Sequence, residues 1–158
     1  MNTETLASPS TVNGWNPEAL RQMVSAILEE PARGQTQWRV ETHWKGGAQS
    51  ETRVTASRLG GQELVKNFRI GIDEPVELGG TNAYPNPQEV LFAALNACMT
   101  VGFVAQCALA GITLESLRFE TEGDIDLRGF LGIDPLVKPG YDEIRYTIHV
   151  TGDGTPEE

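Results

Sequence analysis

Cysteine and histidine are scarce in this sequence, with 2 residues of each among 158. Two cysteines do not suggest a disulfide framework, and neither histidine belongs to an HxxH or HExxH motif of the kind that binds zinc. The glycine pairs at 60–61 and 79–80 lack the strand-to-helix setting of a phosphate-binding loop. The sequence therefore predicts neither a metal site nor a bound cofactor.

Basic residues are also few, because 12 Lys and Arg stand against 22 Asp and Glu and leave a formal charge of -10. This balance argues against nucleic acid or an anionic membrane as a partner. The N-terminus has neither the basic nor the apolar region of a secretory signal, so a cytoplasmic protein is expected. The length and the 39% apolar content predict a soluble globular chain.

Three segments are predicted from N- to C-terminus: a flexible tail over 1–13, an amphipathic helix within 14–34, and one domain over 35–158. Asn16, Pro17 and Glu18 supply the cap, proline and acid that open a helix, and apolar residues then recur at helical spacing. The last residues, 155–158, have the form of a capping box and predict the start of another helix.

Period-two alternation predicts strands over 37–45, 50–57 and 62–70, joined by turns at the glycine pairs 46–47 and 60–61. A Gly- and Pro-rich loop is expected over 71–85. Further strands are predicted over 114–126 and 142–151, with a loop between them, and the second turns Ile144, Tyr146, Ile148 and Val150 inward.

The stretch from Asn86 to Gly111 predicts a long central helix, capped by Asn86 with Pro87 at its first position. Between residues 90 and 110 only three side chains are polar, so every face is apolar and the helix is expected to be enclosed. This run is nearly long enough to span a bilayer, but it lacks basic anchors and is rich in alanine. A membrane span is therefore not expected.

Cys98 lies halfway along this helix, and Cys107 follows nine residues later. Nine residues rotate a side chain by about 180° and move it about 13 Å along the axis, so the two thiols cannot form a disulfide within one chain. A cysteine in an apolar helix commonly acts as a small packed hydrophobe. Residue type and spacing leave open whether Cys98 is reactive or simply packed.

The pattern of Asn-Pro, an amide and acid pair, a Leu/Ala run and a cysteine twelve residues after the asparagine resembles the OsmC/Ohr family of osmotically induced and organic hydroperoxide resistance proteins. The likeness extends over 37–151 and includes the pre-helix loop with Gly79-Gly80. It implies an α+β fold in which two subunits form an intertwined dimer, with antiparallel sheets wrapped around long central helices.

In that family the matching cysteine attacks an organic hydroperoxide, and an external thiol reductant restores it, so the resemblance implies a peroxidatic role for Cys98. The family's catalytic glutamate corresponds to Gln88 here, and Glu89 beside it is a candidate either for orienting the activating arginine or for a plain acid in the first helical turn. Gln88 and Phe92 are the expected substrate contacts. The family's resolving cysteine has no counterpart in Cys107. Small organic hydroperoxides and a second copy of the chain are therefore the expected partners.

The family's activating arginine lies in the turn after the first strand, where this chain has Ala48, Gln49 and Ser50. Thiolate chemistry requires a cation to stabilise the sulfur, and Arg53 is the first candidate, followed by Arg58 and Arg39. Two other functions stay open. One is a non-enzymatic binding or stress-response scaffold, and the other is a cysteine-dependent hydrolase with a histidine base.

Overall fold

The two long helices begin at the residues that the sequence indicates. A computed structural model describes residues 10–155, and in it α1 spans Pro17–Glu29 and α2 spans Pro87–Ala110. The Asn16 side chain accepts hydrogen bonds from the backbone N–H groups of Glu18 and Ala19, at 3.0 and 3.1 Å. These bonds occupy donors that have no partner inside the helix, which explains why α1 starts there.

The remaining helical segments are short. A third helix, α3, spans Leu127–Phe130 in the loop predicted over 127–141, and 3-10 turns span Pro31–Gly34 and Val76–Leu78. Most of the predicted tail and the end of the predicted C-terminal capping box lie outside the described residues.

Four strands form an antiparallel sheet in the first half of the chain: β1 at Thr36–Trp38, β2 at Glu41–Gly46, β3 at Gln49–Leu59 and β4 at Gln62–Ile72. The single strand predicted over 37–45 is wrong, because the chain leaves the ladder at Arg39 and Val40. β1 pairs with the C-terminal end of β3 and β2 with its N-terminal end. The turns at 46–47 and 60–61 are confirmed, and all four glycines have positive φ.

This sheet has two chemically different faces. The register places six charged or titratable side chains on one side of β2, β3 and β4, here called the charged face: Glu41, His43, Lys45, Glu51, Arg53 and Arg69. The alternate residues Trp44, Phe68 and Ile70 lie on the opposite side and are 76%, 63% and 39% exposed. The opposite face of the sheet therefore presents several exposed apolar side chains, although Thr52 on the same face is buried.

The second half of the chain contains an antiparallel pair, β5 at Leu114–Glu122 and β6 at Arg145–Gly152. β5 ends four residues before the predicted boundary. Helix α2 packs on this pair, since the Thr121 hydroxyl donates to the Asn96 side chain at 2.5 Å and the rings of Phe103 and Phe119 meet edge to face. Four side chains of the predicted strand over 142–151 were expected to point inward, and each is at least 38% exposed: Ile144, Tyr146, Ile148 and Val150.

The chain divides into two compact units at residues 91 and 92. Within residues 10–155, Leu20 and Ala108 are the only apolar side chains classed as buried. The expectation that α2 is enclosed is therefore wrong for the single chain, because only one side of this all-apolar helix is covered. The architecture is α+β with antiparallel sheets, as expected.

Candidate thiol site

Cys98 lies on the side of α2 that faces away from the β5–β6 pair. It follows Asn96 by two residues and precedes Phe103 by five, which places it about 200° and about 140° around the axis from these two contacts with β5. The thiol is exposed. A reagent can therefore reach the sulfur in the single chain.

The surface around Cys98 is apolar and made of small groups. We call it the thiol stripe, and it comprises Cys98 and four exposed residues of α2 at helical spacing: Leu91, Ala94, Val101 and Gly102. Leu91 and Val101 are 49% and 56% exposed. Such a stripe suits an apolar molecule or an apolar protein surface better than water.

Cys107 is in a different environment. It is partly buried and lines a cavity of about 570 Å³ together with Phe103, Ile112 and Val150. Both cysteines are free thiols. Cys107 thus forms part of a largely apolar cavity wall between α2 and the β5–β6 pair, and its purely structural role stays a prediction.

The residues at the start of α2 have clear local roles. The Glu89 carboxylate accepts a hydrogen bond from the Asn86 N–H at 2.8 Å, and the Asn86 side chain accepts one from the Glu89 N–H at 2.8 Å. This reciprocal pair is a capping box, which was not predicted from the sequence. Phe92 packs against Tyr141, with ring centroids 5.2 Å apart, while Gln88 is exposed. Substrate contacts by Phe92 and Gln88 stay predictions.

Arg53, the first candidate for the activating cation, lies on the charged face. Its Nε donates to a Glu51 carboxylate oxygen at 2.9 Å. Its two terminal nitrogens make no hydrogen bond within residues 10–155. Glu51 was not identified from the sequence, because its importance comes from the strand register that brings Arg53, Arg69 and Lys45 around it.

A buried carboxylate organises the loop before α2. Asp73 is fully buried, and it accepts from the Thr81 hydroxyl at 2.6 Å and from the N–H groups of Glu74, Thr81 and Ala83 at 2.8 to 3.1 Å. Gln49 of β3 donates to it at 3.4 Å. These bonds tie the loop to the sheet just before the helix cap at Asn86. The Thr81 hydroxyl, followed by the backbone donors, holds the pKa of Asp73 well below its usual range.

This depressed pKa predicts an acid-sensitive contribution to stability. The unfolded chain takes up the Asp73 proton near pH 4, whereas the folded chain does so only at lower pH, so falling pH favours unfolding. We expect the free energy of unfolding to decline below about pH 4 and to decline less in Asp73→Asn. Urea titrations between pH 7 and pH 3 measure this slope. The exposed Asp142 provides a control as Asp142→Asn, and an unchanged slope in Asp73→Asn would contradict the expectation.

The two histidines are engaged elsewhere. His43 lies 3.1 Å from Glu41 and His149 lies 3.0 Å from Glu120. His149 belongs to the same unit as Cys98, and no hydrogen bond joins them in the described chain. The hydrolase hypothesis therefore finds no base for Cys98 in that unit. In residues 10–155, no group of three or more His, Cys, Asp or Glu side chains could hold a metal ion.

A comparison with known families covers this helix. The model of the OsmC-like protein family matches residues 80–158, which is half of the chain and includes the cap at Asn86 and the thiol stripe. The chain belongs to the OsmC-like family. No curated protein matched the chain.

Membership in the OsmC-like family confirms the resemblance noted in the sequence and associates the chain with stress-related, peroxiredoxin-like functions. Helix α2 is long and apolar enough to cross a membrane by length and composition. This is weak evidence for a span, since core helices of soluble proteins meet the same criteria and OsmC-like proteins are typically soluble.

Proposed function

We propose that this OsmC-like protein is a thiol-dependent peroxidase that reduces organic hydroperoxides in the cytoplasm during oxidative or osmotic stress. The observation that supports this most is the exposed thiol of Cys98 on an apolar stripe of the family's central helix. An alkyl or aryl hydroperoxide has an apolar body that fits against Leu91 and Val101, with its peroxide group at the sulfur.

The reaction balances with a thiol as the reductant. The Cys98 thiolate attacks the terminal oxygen of the hydroperoxide, the O–O bond breaks, and the alkoxide leaves and takes up a proton to become an alcohol. The sulfur is oxidised to sulfenic acid. One equivalent of an external dithiol then reduces it, releasing water and forming the reductant's disulfide. We assign Cys107 no part in these steps, because it does not match the position of the family's resolving cysteine.

A cation is needed to keep the sulfur ionised. The positive end of α2 is about three turns away from Cys98, and the helix dipole acts within only the first turn. We assign this role to a guanidinium of the four-stranded sheet, first to Arg53, whose terminal nitrogens stay available after its Nε binds Glu51. Glu89, at the start of α2, is the proposed carboxylate that orients this arginine, in addition to its role in the helix cap.

We further propose that the functional form is a homodimer. The apolar face of the four-stranded sheet and the thiol stripe are exposed in the single chain, and the described residues bury very few apolar side chains. Monomeric proteins rarely expose large contiguous apolar surfaces. A second copy would cover them, and it would also be able to supply the guanidinium.

If two chains associate through the apolar face of the four-stranded sheet, a charge introduced on that face should weaken the dimer. Phe68 is 63% exposed on β4, and Phe68→Glu is expected to raise the dimer dissociation constant at least about tenfold. Sedimentation velocity over a concentration series measures this. Leu136 is 93% exposed in a loop, so Leu136→Glu should have no effect. A monomeric wild-type protein would contradict the proposal.

A non-enzymatic scaffold is the alternative, and two departures from the family pattern favour it: Gln88 stands at the glutamate position, and the turn at 48–50 has no arginine. Consumption of cumene hydroperoxide in the presence of dithiothreitol separates the two functions. A peroxidase turns over many equivalents of hydroperoxide per chain. Consumption at the rate of dithiothreitol alone would favour the scaffold.

A further inference from the structure

The charged face contains a cavity that the peroxidase chemistry does not use. It has a volume of about 300 Å³ and lies within the first compact unit, between β2, β3, β4 and the loop before α2. The residues that determine its chemistry are Lys45, Glu51, Arg69, Gly71 and Tyr84. This volume is at the lower end of the range for small-molecule sites.

Positive charge is in excess at this cavity. Glu51 lies 2.9 Å from Arg53 Nε, 3.4 Å from an Arg69 terminal nitrogen and 3.8 Å from Lys45 Nζ. Of the charged side chains that line the cavity, two are cations and one is a carboxylate, which leaves a local formal charge of +1 in a chain whose total is -10. Glu41 pairs with Arg53 across the β2–β3 ladder and contacts His43, and neither Glu41 nor Arg53 lines the cavity. One carboxylate is therefore surrounded by more cations than it neutralises.

The two cations that line the cavity keep hydrogen-bond donors available. Lys45 lies beyond hydrogen-bond distance of Glu51, and Arg69 contacts it through one nitrogen at a long 3.4 Å. The Glu51 side chain is 20% exposed, whereas those of Lys45 and Arg69 are 45% and 62% exposed, so an anion can reach both cations from solvent. An oxyanion that enters the cavity can accept hydrogen bonds from both cations and can complete their neutralisation.

Another part of the cavity wall is aromatic. Gly71 pairs with Glu51 across the β3–β4 ladder, and a Cβ at Gly71 would lie 2.7 Å from the Tyr84 ring. The ring can rest against the strand because this position has no side chain. The cavity therefore combines two cationic donors with a flat aromatic surface.

We propose that this cavity binds the oxyanion of a small molecule with an apolar or aromatic body, the oxyanion contacting Lys45 and Arg69 and the body contacting Tyr84. The site goes beyond the proposed peroxidase function and does not depend on it, because none of its residues belongs to the thiol stripe. A carboxylate and a phosphate monoester share this chemistry, and the ligands used in the test distinguish them.

Titration of the full-length protein with benzoate, phenyl phosphate and inorganic phosphate, followed by the ¹⁵N-labelled side-chain N–H signals of its arginines, tests the proposal. At least one of the two aromatic anions should shift the Arg69 signal in a saturable manner, and benzylamine should not. The responsive anion identifies the class of ligand, and a response to inorganic phosphate alone would overturn the role of the aromatic wall.

Variants distinguish specific binding in the cavity from a general effect of positive charge on the protein surface. Arg69→Gln and Lys45→Met should each weaken binding about tenfold or more, measured by calorimetry. Lys66→Gln is the matched control, because Lys66 also lies on β4 but contacts the Trp38 ring and not the cavity. The dissociation constant of this variant for the anion should stay within about twofold of the wild-type value. Cys98→Ser should bind normally.

Three results would overturn the site: no saturable binding of either aromatic anion, equal losses in Lys66→Gln and Arg69→Gln, or undiminished binding in both cavity variants. Thermal unfolding of each variant shows whether it is folded. Gly71→Ala tests the aromatic wall separately, since a methyl group there displaces the Tyr84 ring and should weaken binding of benzoate more than that of inorganic phosphate.

Discussion

Replacing Cys98 by serine is expected to abolish turnover of cumene hydroperoxide, with a loss of at least about 1,000-fold in kcat/KM. A hydroxyl is not ionised near neutral pH and does not reduce a peroxide, so no other group on the thiol stripe replaces the sulfur. Because Cys98 is exposed, the substitution leaves the packing of α2 against β5 unchanged. Coupled measurement of hydroperoxide loss and dithiothreitol oxidation provides both rates.

Cys107→Ser is the matched control for this experiment. It removes the second thiol from a partly buried apolar cavity, so it should lower stability modestly while turnover stays within about twofold. If Cys98→Ser kept wild-type turnover, Cys98 would not be the nucleophile. If Cys107→Ser alone lost activity, the roles assigned to the two thiols would be reversed.

The same assay locates the activating cation. Arg53→Gln should lower turnover by about 100-fold if its guanidinium stabilises the thiolate and the developing charge. Arg58→Gln and Arg39→Gln remove the same charge from the two other candidate positions and serve as comparisons. A uniform small effect across all three variants would exclude Arg53, Arg58 and Arg39 as the activating cation.

Gly80→Ala is expected to be the most destabilising single-methyl change in the loop before α2. A Cβ at this position would overlap the backbone carbonyl oxygen of Glu74, far inside van der Waals contact. Backbone cannot move aside as a flexible side chain can, and Asp73 and its donors hold this part of the loop in place. We expect a loss of about 3 kcal/mol or more in the free energy of unfolding.

Thermal and urea unfolding measure this loss, which corresponds to a decrease of about 10 °C in Tm. Gly140→Ala is the control, because a Cβ added at Gly140 would have no heavy atom within 4 Å and the residue has no positive φ. Its stability should change by less than about 1 kcal/mol. A Gly80→Ala protein as stable as Gly140→Ala would show that the loop is not held as described.

Local signals in the sequence predicted the helices well. Asn16 and Asn86 are followed by proline, and both helices start at that proline because the side-chain cap and the missing N–H act within one turn. The glycine pairs likewise predicted the turns at 46–47 and 60–61, since positive φ is inexpensive only for glycine. These features depend on neighbouring residues alone.

The first strand was not predicted correctly, because alternation continues through Arg39 and Val40 although the ladder does not. Its interruption is decided by β3, which pairs with β1 and β2 at different ends. The enclosure of α2 was also mispredicted. Apolar residues on all sides indicate that the helix needs cover, but they do not indicate whether the same chain supplies it.

The sequence by itself determined the element types, the capped helices, the family and the position of the thiol, because each depends on short-range spacing along the chain. Only the tertiary structure decided that Asn96 and Phe103 contact β5 and leave Cys98 exposed, that Asp73 is the buried anchor of the loop, and that three cations meet at Glu51. These facts depend on strand register and helix rotation, which bring together residues far apart in sequence.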